Sequence, residues 1–315
     1  MRKKLLVILI ALPMIGFGQN VNIPDADFKS YLVGNTAINT NGDSEIQVSE
    51  ATNFSDTIDI NGYYINDLTG IEAFTALEEL VCHSQGFTSL DVSQNLALTY
   101  LNCGGGLQLT SLDVSQNLAL TYLRCEDSQL TTLDVSNNTA LTYLHCDYNQ
   151  LTSLDVSNNL ALTILNCEEN QLTSLDVSQN LALTLFSCSG NQLTSLDVSQ
   201  NLALSLLHCY NNQLTSLDVR NGNNINFIEF YSFNNPNLTC INVDDTAWSA
   251  TNWTFANNNI DTQHYFSTNC SATGIQEHTT NKELLKVTDL LGRETKGTNR
   301  PLFYIYNDGT VEKRI

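Results

Sequence analysis

Apolar positions recur through the middle of the chain at a fixed interval. The line LTSLDVSQNLAL occupies Leu109–Leu120 and returns unchanged at Leu172–Leu183 and Leu193–Leu204. Near copies stand at Phe87–Leu98, Leu130–Leu141 and Leu151–Leu162. The interval is 21 residues from Leu109 to Leu214, after one interval of 22. The stretch Leu141–Leu151, LTYLHCDYNQL, places leucines at offsets that, with this period, predict a leucine-rich repeat solenoid. Each coil contributes one short parallel strand, such as 143–147, and coils stack at about 4.8 Å. A single coil cannot bury its own leucines, so the line recurs because each copy is one layer of a shared core.

Alternation along the strand sends Leu144 and Cys146 inward and His145 and Asp147 outward. Seven of the nine cysteines, Cys82, Cys103, Cys125, Cys146, Cys167, Cys188 and Cys209, hold this inward position. They read as small apolar core residues. Parallel stacked neighbours present thiols in poor geometry for disulfides. His145 beside Cys146, and His208 beside Cys209, point to opposite faces and form no metal or nucleophile pair. Cys240 and Cys270 lie outside the column and are expected to pair and staple the final cap.

The ends depart from the period. Pro24-Asp25 opens a helix carrying Phe28, Tyr31 and Leu32 at helical spacing. After it, Asn39-Thr-Asn41-Gly-Asp43-Ser-Glu45, closed by Glu50, follows the spacing of a 12-residue calcium loop. Asn39 replaces the usual aspartate and Ser44 the usual glycine, so calcium on Asn39, Asn41, Asp43, Glu45 and Glu50 stands beside a metal-free turn. Past the repeats, Trp248, Trp253, Phe255, Tyr265 and Phe266 are too bulky for the unit and are expected to plug its open end.

Charge then separates the modules. Met1–Gly18 has a basic start, a short apolar run and small residues, as a signal peptide does. No other stretch approaches the roughly 20 apolar residues of a membrane span. Residues 19–273 carry three basic residues against 27 acids, a net charge of −24. From Gly274 onward seven basic residues meet six acids. So acidic a body repels nucleic acid and anionic membranes and attracts cations or basic partners. The reading is therefore signal peptide 1–18, cap 19–64, repeats 65–237, cap 238–273, and linker with tail 274–315.

Two rows remain to be explained. Asp91, Asp113, Asp134, Asp155, Asp176, Asp197 and Asp218 fall at one repeat position. Stacked at coil spacing, neighbours would repel by about 0.9 kcal/mol in water and about 3.5 at an effective dielectric of 20. Local turn hydrogen bonds would offset this; a row of bound cations is the alternative. Asn149, Asn170, Asn191 and Asn212 read as a second structural row. The outward strand positions, by contrast, vary between copies on a constant scaffold. They include Asn102, Gly104, Asn166, Ser187 and Ser189. The candidate ligand set is Tyr100, Tyr122, Arg124, Glu126, Tyr143, His145, Asp147, Glu168, His208 and Tyr210, with acidic density at Glu126, Asp127, Asp147, Glu168 and Glu169.

These repeats resemble the secreted leucine-rich repeat proteins of Bacteroidetes, with internalin-like units, and NIPDADFKSYLVGNTAINTNGDSEIQVSEA resembles the cap that precedes such arrays. The tail, LLKVTDLLGRETKG and then PLFYIYNDGTVEKRI, resembles a type IX secretion C-terminal sorting domain, with Leu290–Glu294 and Asn307–Gly309 its most specific parts. Read from its residues, the tail is strand, turn, strand, with NDG as a hairpin signal. The resemblance implies export through the periplasm to the surface or medium, with Lys282–Ile315 read by the secretion machinery. No nucleophile elbow, paired-histidine zinc motif or phosphate loop is present. The expectation is a non-enzymatic protein without cofactor, calcium at the loop apart, that binds a protein or glycan. A structural spacer without ligand is the alternative.

Overall fold

The structure is a computed structural model that describes residues 19–83, 88–105, 108–270 and the strands 284–288, 302–306 and 311–314. It forms two units that divide between residues 270 and 271. The signal segment, the linker, Leu290–Glu294 and the NDG turn lie outside the described residues.

In the first unit every coil of the repeat lays a three-residue strand into one long parallel sheet. Its nine described strands are Thr57–Asp59, Glu79–Val81, Tyr100–Asn102, Tyr122–Arg124, Tyr143–His145, Ile164–Asn166, Leu185–Ser187, Leu206–His208 and Glu229–Tyr231. Equivalent residues stand opposite one another, so Leu123, Leu144 and Leu165 form one inward row. All three are fully buried, as are the seven repeat cysteines. The Cys103, Cys125, Cys146 and Cys167 thiols donate to carbonyls of the next coil at 3.4–3.6 Å. Burial pushes these thiols up in pKa and leaves them inert.

A second parallel sheet of four strands, Ser195–Asp197, Ser216–Asp218, Cys240–Asn242 and Tyr265–Ser267, runs along another side of the last coils. The repeat line does not predict it, because SLD followed by VSxN reads locally as turn.

Two asparagine rows hold the corners. Asn170 donates through Nδ2 to the carbonyls of Cys146, Cys167 and Glu168 at 3.0–3.2 Å, and its Oδ1 accepts from Leu151 N–H at 2.9 Å. Asn149, Asn191 and Asn212 repeat the pattern, and Asn235 extends it past the last full repeat. The residue before each adopts positive φ, including Tyr148 at 51° and Glu169 at 49°. In the second row Asn95, Asn117, Asn138, Asn159, Asn180 and Asn201 are fully buried. Asn138, for example, donates to Val114 and Asn117 carbonyls at 2.9 Å. Such side chains satisfy backbone groups that turns would leave orphaned inside the stack. Asn170→Ala, which orphans several of these at once, is expected to cost about 2 kcal/mol in urea denaturation. A loss no larger than that of a surface substitution would mean the bonds do not hold the corner.

The aspartate row is offset locally. Each of Asp91, Asp113, Asp134, Asp155, Asp176 and Asp197 accepts from the serine N–H two residues on, at 2.8–2.9 Å. The serine bonds hold Asp91, Asp113, Asp134, Asp155 and Asp176 below the usual carboxylate range. Asp218 is held differently, by the side chain and N–H of Arg220.

The caps close the ends. The helix Ala26–Gly34 is N-capped by Asp25, which accepts from Asp27 and Phe28 N–H at 3.0 Å, and it buries Phe28 and Leu32 completely. At the far end Trp253 stacks on Phe230 with centroids 4.1 Å apart, and Trp248 and Phe266 pack beside it. Phe255 and Tyr265 do not join the plug, being 59% and 47% exposed. Strand alternation explains Tyr265, since Phe266 takes the inward position. Phe255 lies on a 3-10 turn beyond the space that Trp253 already fills. Cys240 and Cys270 form a disulfide.

The second unit pairs Leu284–Thr288, Leu302–Tyr306 and Val311–Arg314 in an antiparallel sheet with Leu302–Tyr306 central.

Candidate recognition surface

Because neighbouring strands stack in register, each outward strand position becomes a row across the long sheet. The first row runs Tyr100, Tyr122, Tyr143, Ile164, Leu185 and Leu206, all half-buried. Tyr100 and Tyr122 stack at 4.1 Å and 9°, Tyr122 and Tyr143 at 4.1 Å and 13°. The His145 ring stacks on Tyr143 at 4.5 Å and 15°. Each ring occupies a face of its neighbour, so Tyr122 and Tyr143 present edges and hydroxyls outward.

Two residues on, the next row runs Asn102, Arg124, His145, Asn166, Ser187, His208 and Tyr231. Beyond the inward cysteines, the third holds Gly104, Glu126, Asp147, Glu168, Ser189 and Tyr210. Outward does not mean exposed in either row. Asn102, Ser187 and Ser189 hold outward strand positions and are nevertheless buried. The physical cause is the length of neighbouring acids. Ser187 Oγ donates to Glu168. The Glu126 carboxylate lies over Gly104 and the Glu169 carboxylate over Gly190, where even a methyl group would collide.

The structure brings the acids and their counter-ions together along this third row. Arg124 pairs with Glu126, while Glu126 Oε2 and Arg124 Nε stay buried without a hydrogen-bond partner. His208 bridges two carboxylates, with Nε2 at 2.9 Å from Glu229 and Nδ1 at 3.8 Å from Glu168. Burial alone would raise Glu168 and lower His208. Their mutual bond, with Ser187 and Glu229, outweighs it, so Glu168 is held low and His208 high. His145, whose Nδ1 lies 3.7 Å from Asp147, gains no hydrogen bond from a carboxylate: burial, then Arg124, push it down.

Asp147 carries the least compensated charge. It is 8% exposed, its Oδ1 has no hydrogen-bond partner, and the nearest imidazole nitrogen, His145 Nδ1, stands 3.7 Å away. Burial first, then the charges of Glu126 and Glu168, push its pKa up to about 6. A carboxyl raised in the folded state contributes stability that is fully present below about pH 4 and lost as pH rises through about 6. Asp147→Asn is therefore expected to gain about 1 kcal/mol at pH 8, after allowing for solvent screening, and nothing at pH 4. Thermal melts of both proteins at the two pH values check this; an equal shift at both would remove the cause.

At the other edge His208, Tyr210, Tyr231 and Phe233 form an aromatic group, with Tyr210 and Phe233 stacked at 4.7 Å. Sequence reasoning places Tyr210 and His208 here but misses Ile164, Leu185, Leu206, Glu229, Tyr231 and Phe233. The 21-residue alignment reveals the first three as equivalents of Tyr143. The last three follow a coil of altered length, where the alignment loses register.

The 39–50 loop is folded by its own bonds. Asn39 Oδ1 accepts from Gly42 N–H, Asn41 Oδ1 from Asp43 N–H, and Asp43 Oδ1 from Glu45 N–H. Glu50 accepts from Thr40, Asn41 and Gln47, and Lys29 Nζ lies 2.7 Å from Glu45. Each of the five side chains that the spacing assigns to calcium is thus engaged through at least one oxygen. Among the described residues no group of three or more His, Cys, Asp and Glu side chains could hold a metal ion.

No protein-family model matches the chain, and no curated protein matches it. Solved structures do. A leucine-rich repeat protein of Leptospira interrogans is 23% identical at a TM-score of 0.54, over 62% of this chain and 56% of that one. Internalin C2 of Listeria monocytogenes is 18% identical at 0.54, over 71% and 99%. The functional domain of InlJ from Listeria monocytogenes, described as including a cysteine ladder, is 29% identical at 0.35, over 72% and 68%. Register, inward rows and the two likenesses at a TM-score of 0.54 agree: the chain has the leucine-rich repeat solenoid fold.

Proposed function

We propose that this chain is a non-enzymatic recognition protein that binds a protein or glycan partner through the outward face of its long sheet. One observation carries the reading. Rows that vary from coil to coil, with an aromatic and aliphatic edge and an undercompensated acid centre, sit on an inward side that hardly varies. Solenoids of this kind present such a face as a long, shallow binding surface. No helix among the described residues is long and apolar enough to cross a membrane. The disulfide suits an oxidising compartment, and with the leader-like start it supports export to the surface or medium.

The test is an array of glycans and surface proteins probed with the full chain and with Tyr122→Ala and Glu126→Lys. Recognition predicts a partner whose binding both substitutions weaken by tenfold or more. Uniform non-binding, or a partner indifferent to both, favours the spacer.

Two further proposals are separate. The tail acts as the export address, so deleting Lys282–Ile315 should strand the protein in the periplasm; unchanged export would remove that role. Calcium at the 39–50 loop requires exchange of the bonds that now engage its oxygens. It predicts a higher melting temperature when calcium is added to chelated protein, and an unchanged temperature removes calcium from the loop.

A further inference from the structure

We infer that the occupant of this face is a cationic protein segment, with lysine or arginine side chains over the Glu126–Asp147–Glu168 row and apolar neighbours against the Tyr100–Leu206 row. The inference rests on the strand-face reading above and names the partner's chemistry.

Three observations carry it. First, Asp147 is nine-tenths buried, and its Oδ1 has no hydrogen-bond partner. A carboxylate held that way, between the charges of Glu126 and Glu168, favours a cation placed over the row. Second, the coils supply few cations of their own, and His208 is shared between Glu168 and Glu229. Arg124 is the one arginine or lysine on the strand face, and Glu126 takes it. Asp127 and Glu169, at the exposed positive-φ positions beside the row, add charge without a counter-ion from an arginine or lysine. Third, the two central tyrosines, Tyr122 and Tyr143, cannot serve as sugar platforms. A sugar ring packs on an open aromatic face, and both faces of Tyr122 and of Tyr143 are covered by neighbouring rings. What they offer is a row of edges and hydroxyls, continued by Ile164, Leu185 and Leu206, which suits the apolar side of an extended peptide. Complementary charge of this kind sets partner choice and association rate more than raw affinity.

The experiment measures binding of a short fluorescein-labelled peptide alternating arginine and leucine to the full chain, by anisotropy at near-physiological salt. Its partner peptide carries glutamate for arginine. Two triple variants are compared. Glu126→Gln with Asp147→Asn and Glu168→Gln removes three charges from the face. Asp113→Asn with Asp134→Asn and Asp155→Asn removes three from the serine-bonded row, where asparagine can keep the turn. Melting temperatures confirm that both fold.

The inference predicts binding of the arginine peptide alone, weakened about tenfold or more by the face variant and no more than about twofold by the row variant. Equal losses from the two variants would show only the attraction of a −24 body and overturn it. So would absence of peptide binding alongside a glycan lost on Tyr122→Ala, though strand-face recognition would then stand. Absence of every ligand, peptide and glycan alike, would overturn both.

Discussion

Leu144→Ala is expected to destabilise the first unit by about 3–4 kcal/mol, because the side chain is fully buried and its neighbours cannot close the gap. Leu123 and Leu165 lie directly opposite it on the flanking strands, and each is fixed by its own coil's hydrogen bonds. A coil that shifted to fill the space would break register with two neighbours at once. The cost is therefore both the lost transfer of the side chain and the cavity left behind. Leu160 supplies the internal control. It belongs to the same repeated line, yet it is 59% exposed, and Leu160→Ala should change stability by no more than about 0.5 kcal/mol. Urea denaturation of both variants decides the matter. Similar losses would mean that the inward and outward assignments of the line are wrong.

Loss of the Cys240–Cys270 disulfide has the second large effect. Its residues are 30 apart, and a loop of that size confers about 3–4 kcal/mol in the chain-entropy account. The bridge joins the strand Cys240–Asn242 to the segment after its parallel neighbour Tyr265–Ser267. It closes the end of the solenoid, past which no further coil is stacked among the described residues. Cys240→Ser with Cys270→Ser should therefore loosen the C-terminal cap first. The expected signs are a lower melting temperature and a change in tryptophan fluorescence as Trp253 parts from Phe230. Reductant should lower the melting temperature of the parent protein and leave the double variant unmoved. A reductant effect that persists in the variant would place the stabilisation elsewhere.

The fold was legible because a repeat states its core many times. Period and alternation together identify the strands, the inward leucines and the cysteine column, and turn chemistry identifies Asn149, Asn170 and their equivalents. The second sheet was not legible. Two of its strands, Ser195–Asp197 and Ser216–Asp218, end on the aspartate of an Asx turn, and pairing there depends on neighbours rather than on local pattern. The site was legible only in outline. Strand parity places Tyr122, Glu126, Asp147 and Glu168 on one face, but parity says nothing about reach. That Ser187 and Ser189 are covered, and that Asp147 lies nearly buried, follows from the length of Glu126, Glu168 and Glu169 and from glycine at positions 104 and 190. Those are contacts between coils, which a single-coil pattern does not contain.

A face that carries an unpaired carboxylate at the expense of stability makes physical sense only on a scaffold rigid enough to hold it. The seven buried thiols report on that scaffold directly. Reaction of the native, unreduced protein with a thiol reagent should label none of Cys82, Cys103, Cys125, Cys146, Cys167, Cys188 and Cys209. In denaturant, still without reductant, all seven should react while Cys240 and Cys270 stay silent. Labelling of the column in the native protein at the rate of the unfolded chain would contradict the dry, stacked interior on which everything else is built.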